Sequence, residues 1–209
     1  MDTYWQFITG ALGLDPAAFR AIEQSEHGLR QALVILLIAG ASETLGQSVV
    51  LVLNRVSRGR FFLALLLGGL ELIFEALIWI LSVWALGGVL ARPRPPFFSA
   101  VRVIGLAYAP LILGVLVFFP YIGPLIGRLL RLWVLLAAVV GIAVVFGVAP
   151  WMAALIAALG FLGRWVLLRL FGGVGDAVGR WFWRASTGLD APLRSSDPLL
   201  SLGPQDRAS

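Results

Sequence analysis

Three glutamates interrupt the long apolar runs of this 209-residue chain: Glu43, Glu71 and Glu75. Glu71 and Glu75 are four residues apart, so on a helix their carboxylates point to the same side. Intramembrane carboxylates relay protons or coordinate cations, and each is costly to bury unless it is paired or hydrated. If these runs cross a membrane, the three residues are candidates for an intramembrane polar site.

Glu43 is the strongest candidate of the three. It lies near the middle of its apolar run, with Ser42, Thr44, Gln47 and Ser48 around it. These polar side chains could hydrate a cavity or bond to one another. Gln47 follows Glu43 by one helical turn, which places both on the same face.

A structural interpretation of the glutamates stays open beside the functional one. Three arginines in later apolar runs could neutralise a carboxylate across helices: Arg128, Arg131 and Arg164. A protonated carboxyl group would also avoid most of the burial cost. Depth matters as well: if the membrane core of the second run is about 72–91, Glu71 is interfacial and Glu75 lies one turn in.

The composition identifies the medium in which these residues lie. Hydrophobic residues make up 60% of the chain and charged residues only 13%, against about 25% charged in ordinary soluble domains. There is too little polar surface to cover a soluble core, so the sequence predicts an integral membrane protein.

The net charge of +5 comes from arginine, because the chain has no lysine. The arginines lie in small groups between apolar runs, which is typical of membrane flanks and excludes a nucleic-acid-binding face. Their bias favours a cytoplasmic C-terminus. A bacterial inner membrane is the expected location.

Several classes of chemistry are excluded. The chain has no cysteine and one histidine, His27, so neither a thiolate site nor a multi-histidine metal site can form. No hydrolase, kinase or nucleotide-binding motif is present; the glycine-rich stretch FGGVGDAVG follows a membrane helix rather than a strand. We expect no enzymatic activity, no metal and no cofactor.

Five apolar runs position the candidate residues, and spanning a bilayer takes about 20 residues as helix. The predicted spans are 32–54, 61–91, 101–119, 129–149 and 151–171. The first could instead be re-entrant, because its centre is polar. The sequence thus predicts an all-α, polytopic integral membrane protein, a bundle of about five transmembrane helices with a short N-terminal amphipathic helix.

That amphipathic helix lies in the polar N-terminal segment, residues 1–30. Asp15 can cap it and Pro16 suits its first turn, while Phe19 and Ile22 fall on one side. Its apolar face could dock a partner, lie on the membrane surface, or pack on the protein's own membrane domain.

The remaining division is into a transmembrane domain, 31–172, and a C-terminal region, 173–209. That region contains an interfacial Arg/Trp segment, GRWFWRAS at 179–186, followed by a tail whose polar composition predicts disorder. Aromatic residues at the predicted interfaces are expected to anchor the chain at headgroup level. They are Tyr121, Trp151, Trp181 and Trp183.

Four features of the sequence together resemble one known family. They are the stretch from Leu14 to Gly46, the motif Gly-x-Ala-Tyr-x-Pro at 105–110, the Pro120 turn and the pair Leu132-Trp133. The family that they resemble is the Yip family (Ypt/Rab-interacting proteins), in its uncharacterised bacterial branch. The resemblance covers about residues 10–172. It implies five transmembrane helices, no assigned enzymatic activity and a cytosolic N-terminus, which is opposite to the side that the arginine bias favours. The Rab partners of eukaryotic members are not expected in a bacterium.

The functional expectation is a scaffold, adaptor or membrane-organising protein. Its partners would be the lipid bilayer and another membrane protein or a second copy. The alternatives are a small transporter or channel that uses Glu43, Glu71 and Glu75, or an accessory subunit of a larger membrane complex.

Overall fold

The computed structural model describes residues 2–47, 58–90, 95–119 and 121–170. Within these ranges the ordered elements are all helices, so the predicted all-α fold is confirmed. In chain order they are α1 (Asp2–Leu12), α2 (Pro16–Gln24), α3 (Gly28–Gln47), α4 (Arg58–Leu90), α5 (Phe97–Ala107), a 3₁₀ segment (Ala109–Phe118), α6 (Gly123–Phe146) and α7 (Pro150–Leu170).

Four stretches within the described ranges are long and apolar enough to cross a membrane. They are Gly28–Gly46, Phe61–Leu90, Phe97–Phe118 and Gly123–Phe146. The fifth predicted span falls on α7, whose described apolar stretch, Pro150–Arg164, is shorter than the others. The protein is therefore a polytopic membrane protein, and the fifth crossing stays a prediction.

The third spanning stretch changes helix type halfway along its length. The sequence predicted one helix over 101–119, but α5 ends at Ala107 and the 3₁₀ segment follows. Pro110 lies in the first turn of that segment and has no N–H with which to continue the α-helical ladder. The segment is 10 residues long, whereas 3₁₀ runs longer than three or four are uncommon, so contacts from elsewhere must stabilise it.

Ser42 supplies one of these contacts. Its hydroxyl donates to the Ile112 carbonyl over 2.6 Å and accepts from the Val115 N–H over 3.0 Å. In an uninterrupted 3₁₀ helix these two backbone groups would bond to each other, so the hydroxyl is inserted into the ladder. Ser42 thus fastens α3 to the 3₁₀ segment.

The two N-terminal helices pack on the membrane bundle. Asp15 caps α2 as predicted, accepting from the Ala17 N–H over 2.8 Å. Phe19 and Ile22 are fully buried in the same core as the bundle residues. The apolar face of α2 is therefore covered by the chain's own helices.

Two long side chains of the bundle satisfy the carbonyls at the ends of α1 and α2. Arg102 donates to the Glu23 carbonyl over 2.8 Å, and Trp133 Nε1 donates to the Leu12 carbonyl over 3.1 Å. The last carbonyls of a helix have no partner within the helix, so these bonds orient α1 and α2. The sequence analysis predicted α2 but not α1, a short helix of 11 residues.

Helix α6 begins earlier than predicted, at Gly123 instead of residue 129. Pro124 is compatible with this start because a proline in the first helical turn loses no internal hydrogen bond. At the other end Gly147 adopts φ +60°, a left-handed conformation that favours glycine and ends the helix.

Candidate functional site

Two ion pairs link helices of the bundle. Arg131 Nη2 of α6 donates to Glu43 Oε1 of α3 over 2.8 Å. Arg164 Nη1 of α7 donates to Glu75 Oε1 of α4. The two glutamates therefore have arginine partners on other helices, as the structural interpretation anticipated.

The two pairs differ in which partner is buried. In the first pair the side chain of Glu43 is 19% exposed and that of Arg131 is 70% exposed. In the second the order is reversed, since Arg164 is 19% exposed and Glu75 is 45% exposed. The guanidinium of Arg164 also lies over the Phe161 ring, 4.8 Å from its centroid, a cation–π arrangement that further fixes it.

Both ion pairs face a cavity of about 530 Å³ between the helices, which we call the large cavity. Helices α3, α4, α6 and α7 border it, together with the 3₁₀ segment and Tyr108 at the end of α5. Its charged lining is Glu43, Glu75, Arg131 and Arg164, and its apolar and aromatic lining is Leu72, Trp79, Tyr108, Leu111, Val134, Leu135, Ala158, Phe161 and Leu162. A mostly apolar cavity of this size with a few convergent polar groups is typical of small-molecule sites.

The aromatic wall of the large cavity is fixed in place. The rings of Trp79 and Tyr108 meet edge to face, with centroids 5.9 Å apart. Trp79 Nε1 also points to the Ala157 carbonyl of α7, at 3.4 Å. Both aromatic residues are about 95% buried, so the wall is a preformed surface rather than a flexible one.

A second cavity of about 150 Å³, the small cavity, adjoins the first. The two share Glu43, Leu72, Glu75 and Arg131 as lining. The small cavity adds Glu71, so its walls carry three carboxylates and one guanidinium. Glycines at 40 and 68 line it as well, where α3 and α4 approach closely.

The remaining predicted residues have more varied positions. Glu71 is exposed and takes part in neither ion pair of the described residues. Arg128 is also exposed and in neither pair. Gln47 ends α3, and its side chain lies outside the described part of the chain.

Two of the predicted interfacial anchors lie within the described residues. Tyr121 is fully exposed in the turn before α6, with φ +67°, and Trp151 is 67% exposed in the first turn of α7. Trp181 and Trp183, with the whole predicted tail, lie outside the described residues.

Sequence reasoning missed the aromatic wall. Trp79 follows Glu75 by four residues and Phe161 precedes Arg164 by three, so each aromatic shares a helix face with a charged group. That spacing was a signal for both residues. Tyr108 had no such signal, because it faces the site only after the chain has folded.

Comparison with known proteins gives no match, whether with family models, curated proteins or solved structures. The resemblance to the Yip family therefore stays a prediction from residues of the chain itself.

Proposed function

We propose that the protein is a non-enzymatic, membrane-organising protein of a bacterial inner membrane, resembling the Yip family, that binds a membrane-dissolved amphiphile in the large cavity. Binding that is followed by release on the other side would make it a small transporter of that molecule. Either role uses the same site.

The position of the charges carries this proposal. Eight charged residues lie within the apolar helical stretches of the described chain, which are 28–46, 61–90, 97–118, 123–146 and 150–164. They are Arg30, Glu43, Glu71, Glu75, Arg102, Arg128, Arg131 and Arg164. Five of these eight line the two adjoining cavities. Charges that served only local structure would be spread along the bundle rather than gathered at one place.

Energetics support the same conclusion. A buried ion pair is often no more stabilising than apolar residues of equal volume, because both charges lose hydration. Ionisable groups inside a membrane are rare for the same reason and mark functional sites by default. Two ion pairs, each with one largely buried partner, and a further carboxylate around two adjoining cavities therefore support a binding role.

The first test blocks the large cavity sterically. Ala158 lines it and lies on α7, so Ala158→Trp places an indole in the binding space. We expect the amount of lipid that co-purifies with the variant to be about tenfold lower than with the parent. The measurement is native mass spectrometry with gentle release from detergent.

Ala154→Trp is the matched control. Ala154 lies one turn earlier on α7, is also exposed, and lines neither cavity. Equal lipid retention in Ala158→Trp, Ala154→Trp and the parent would show that the cavity is not the binding place and would refute the proposed function.

A second candidate function, a membrane adaptor, is favoured by the N-terminal helices. They are held against the bundle by Arg102 and Trp133, and α1 presents Trp5 with 68% of its surface exposed. Exposed tryptophans on a rigid support are common anchors of protein interfaces. An accessory subunit of a larger complex would use the same surface.

Cross-linking in native membranes with mass spectrometry tests the adaptor. We expect Trp5→Ala to lose a specific cross-linked partner and Trp151→Ala, a comparably exposed tryptophan on α7, to keep it. Deleting residues 1–30 is a poorer test, because Phe19 and Ile22 belong to the core. Identical cross-links in both variants would refute the adaptor role for α1.

A further inference from the structure

We propose that the adjoining cavities recognise an amphiphile whose head group carries an ammonium group next to an oxygen acceptor, as in an ethanolamine phospholipid. This inference rests on the proposed function, which requires only that the large cavity holds some amphiphile. It assigns the ammonium to the small cavity, the oxygen acceptor to Arg164, and the acyl chain to the aromatic wall.

The small cavity favours the ammonium group. Its lining has three carboxylates and one guanidinium, a formal excess of two negative charges. Arg131 bonds to Glu43, and the partner of Glu75 is Arg164, which lines only the large cavity. Glu71 is in neither ion pair, so a cation with N–H donors would complete the charge balance there.

Arg164 favours an oxygen acceptor beside that ammonium. Its Nη1 donates to Glu75, and the side chain also lines the large cavity. A guanidinium group has five N–H donors and suits phosphate and carboxylate oxygens. A head group with such an oxygen would therefore bond to the part of Arg164 that borders the cavity.

The mouth of the large cavity favours an acyl chain and entry from the bilayer. Phe161 and Leu162 line the cavity, yet they are 49% and 57% exposed on α7. With α7 as the predicted fifth span, apolar side chains exposed on it contact lipid, so the opening faces acyl chains. A chain entering there would lie along Trp79 and Tyr108, and its polar head would reach the ion pairs.

Contact quenching of Trp79 tests the inference. The full-length protein in nanodiscs is titrated with phospholipids that have identical brominated chains and an ethanolamine, choline or glycerol head. Bromine quenches tryptophan only at close range, and the difference between the parent and Trp79→Phe isolates the signal of the cavity residue. We expect the ethanolamine lipid to quench Trp79 at about a tenfold lower mole fraction than the glycerol lipid, with choline between them.

Glu71→Gln is the decisive variant. Glu71 is in no ion pair of the described residues, so its neutralisation removes the one carboxylate that neither Arg131 nor Arg164 balances, without breaking a helix contact. We expect the ethanolamine lipid to quench at a higher mole fraction than in the parent, so that its preference falls to near unity. The anionic glycerol lipid should quench at the same or a lower mole fraction, because a repelling carboxylate has been removed, and its quenching shows that the variant is folded. Competition by dodecylamine and by lysophosphatidylethanolamine separates the two sources of ammonium: the lyso lipid should displace the brominated lipid at about a tenfold lower concentration.

Three other results would contradict the inference, the proposed function or both. Equal quenching of Trp79 by all three head groups would overturn the inference and leave the proposed function standing, since a chain still occupies the cavity. Equal competition by dodecylamine would overturn the assignment of an acceptor to Arg164. No quenching of Trp79 by any brominated lipid would overturn both proposals.

Discussion

Replacing Gly46 with leucine is expected to destabilise the protein by about 3 kcal/mol or more, the upper range for overpacking a close contact. A Cβ atom at this position would overlap the Gly114 carbonyl oxygen, so the backbones of α3 and the 3₁₀ segment touch there. That oxygen belongs to backbone and has little freedom to move aside. The two elements must therefore separate, which also breaks the insertion of Ser42.

The measurement is unfolding in mixed micelles as the mole fraction of SDS rises, followed by far-ultraviolet circular dichroism. Gly59→Leu is the control, because no atom of the described residues lies within 4 Å of a Cβ at Gly59, and the residue is exposed on α4. Helix propensity alone should make that variant neutral or about 1 kcal/mol more stable. Equal midpoints for the two variants would show that the two backbones do not touch at Gly46.

The second large effect is an asymmetry between two chemically identical substitutions. Glu75→Gln should destabilise the protein by about 3 kcal/mol, and Glu43→Gln by about 1 kcal/mol or less. The first leaves Arg164, with 19% of its side chain exposed, without a counter-charge. The second leaves Arg131, which is 70% exposed and lies only eight residues after the start of α6, so its long side chain can extend to the hydrated end of the helix. An unpaired charge costs most where it cannot be hydrated.

A second substitution should rescue the larger effect. Arg164→Met removes the buried charge, so Glu75→Gln combined with Arg164→Met is expected to recover most of the loss in the same SDS titration. The four variants of that cycle give the coupling energy of the pair directly. Equal losses for Glu75→Gln and Glu43→Gln, or no recovery in the double variant, would contradict the burial difference on which the prediction depends.

The sequence predicted much of the fold because the membrane simplifies the problem. Helices that cross a bilayer must be long and apolar, and such runs are visible in composition alone. Helix α4 begins and ends within three residues of the predicted 61–91. The exceptions are local: Pro110 and the inserted hydroxyl of Ser42 convert the second half of the third span to 3₁₀ geometry.

The candidate site was predicted in part. Its charged members, Glu43, Glu75, Arg131 and Arg164, were all named from the sequence, because a charge in an apolar run is conspicuous. Which arginine pairs with which glutamate was left open, and Arg128 proves to lie outside both described pairs. An apolar run contains many aromatic residues, so nothing but spacing separated Trp79 and Phe161 from lipid-facing neighbours.

The sequence by itself determined that the protein lies in a membrane, that its fold is helical, and which few charged side chains are costly to place in a membrane. These follow from hydration energies, which depend on residue type and not on long-range contacts. Tertiary structure alone decided that the charges meet around one cavity, because Glu43 and Arg131 are 88 residues apart and Glu75 and Arg164 are 89 apart. The rotation of each helix about its axis and the angles at which the helices cross determine which charges come together. Close backbone contacts, such as that of Gly46 with Gly114, fix these rotations and crossing angles.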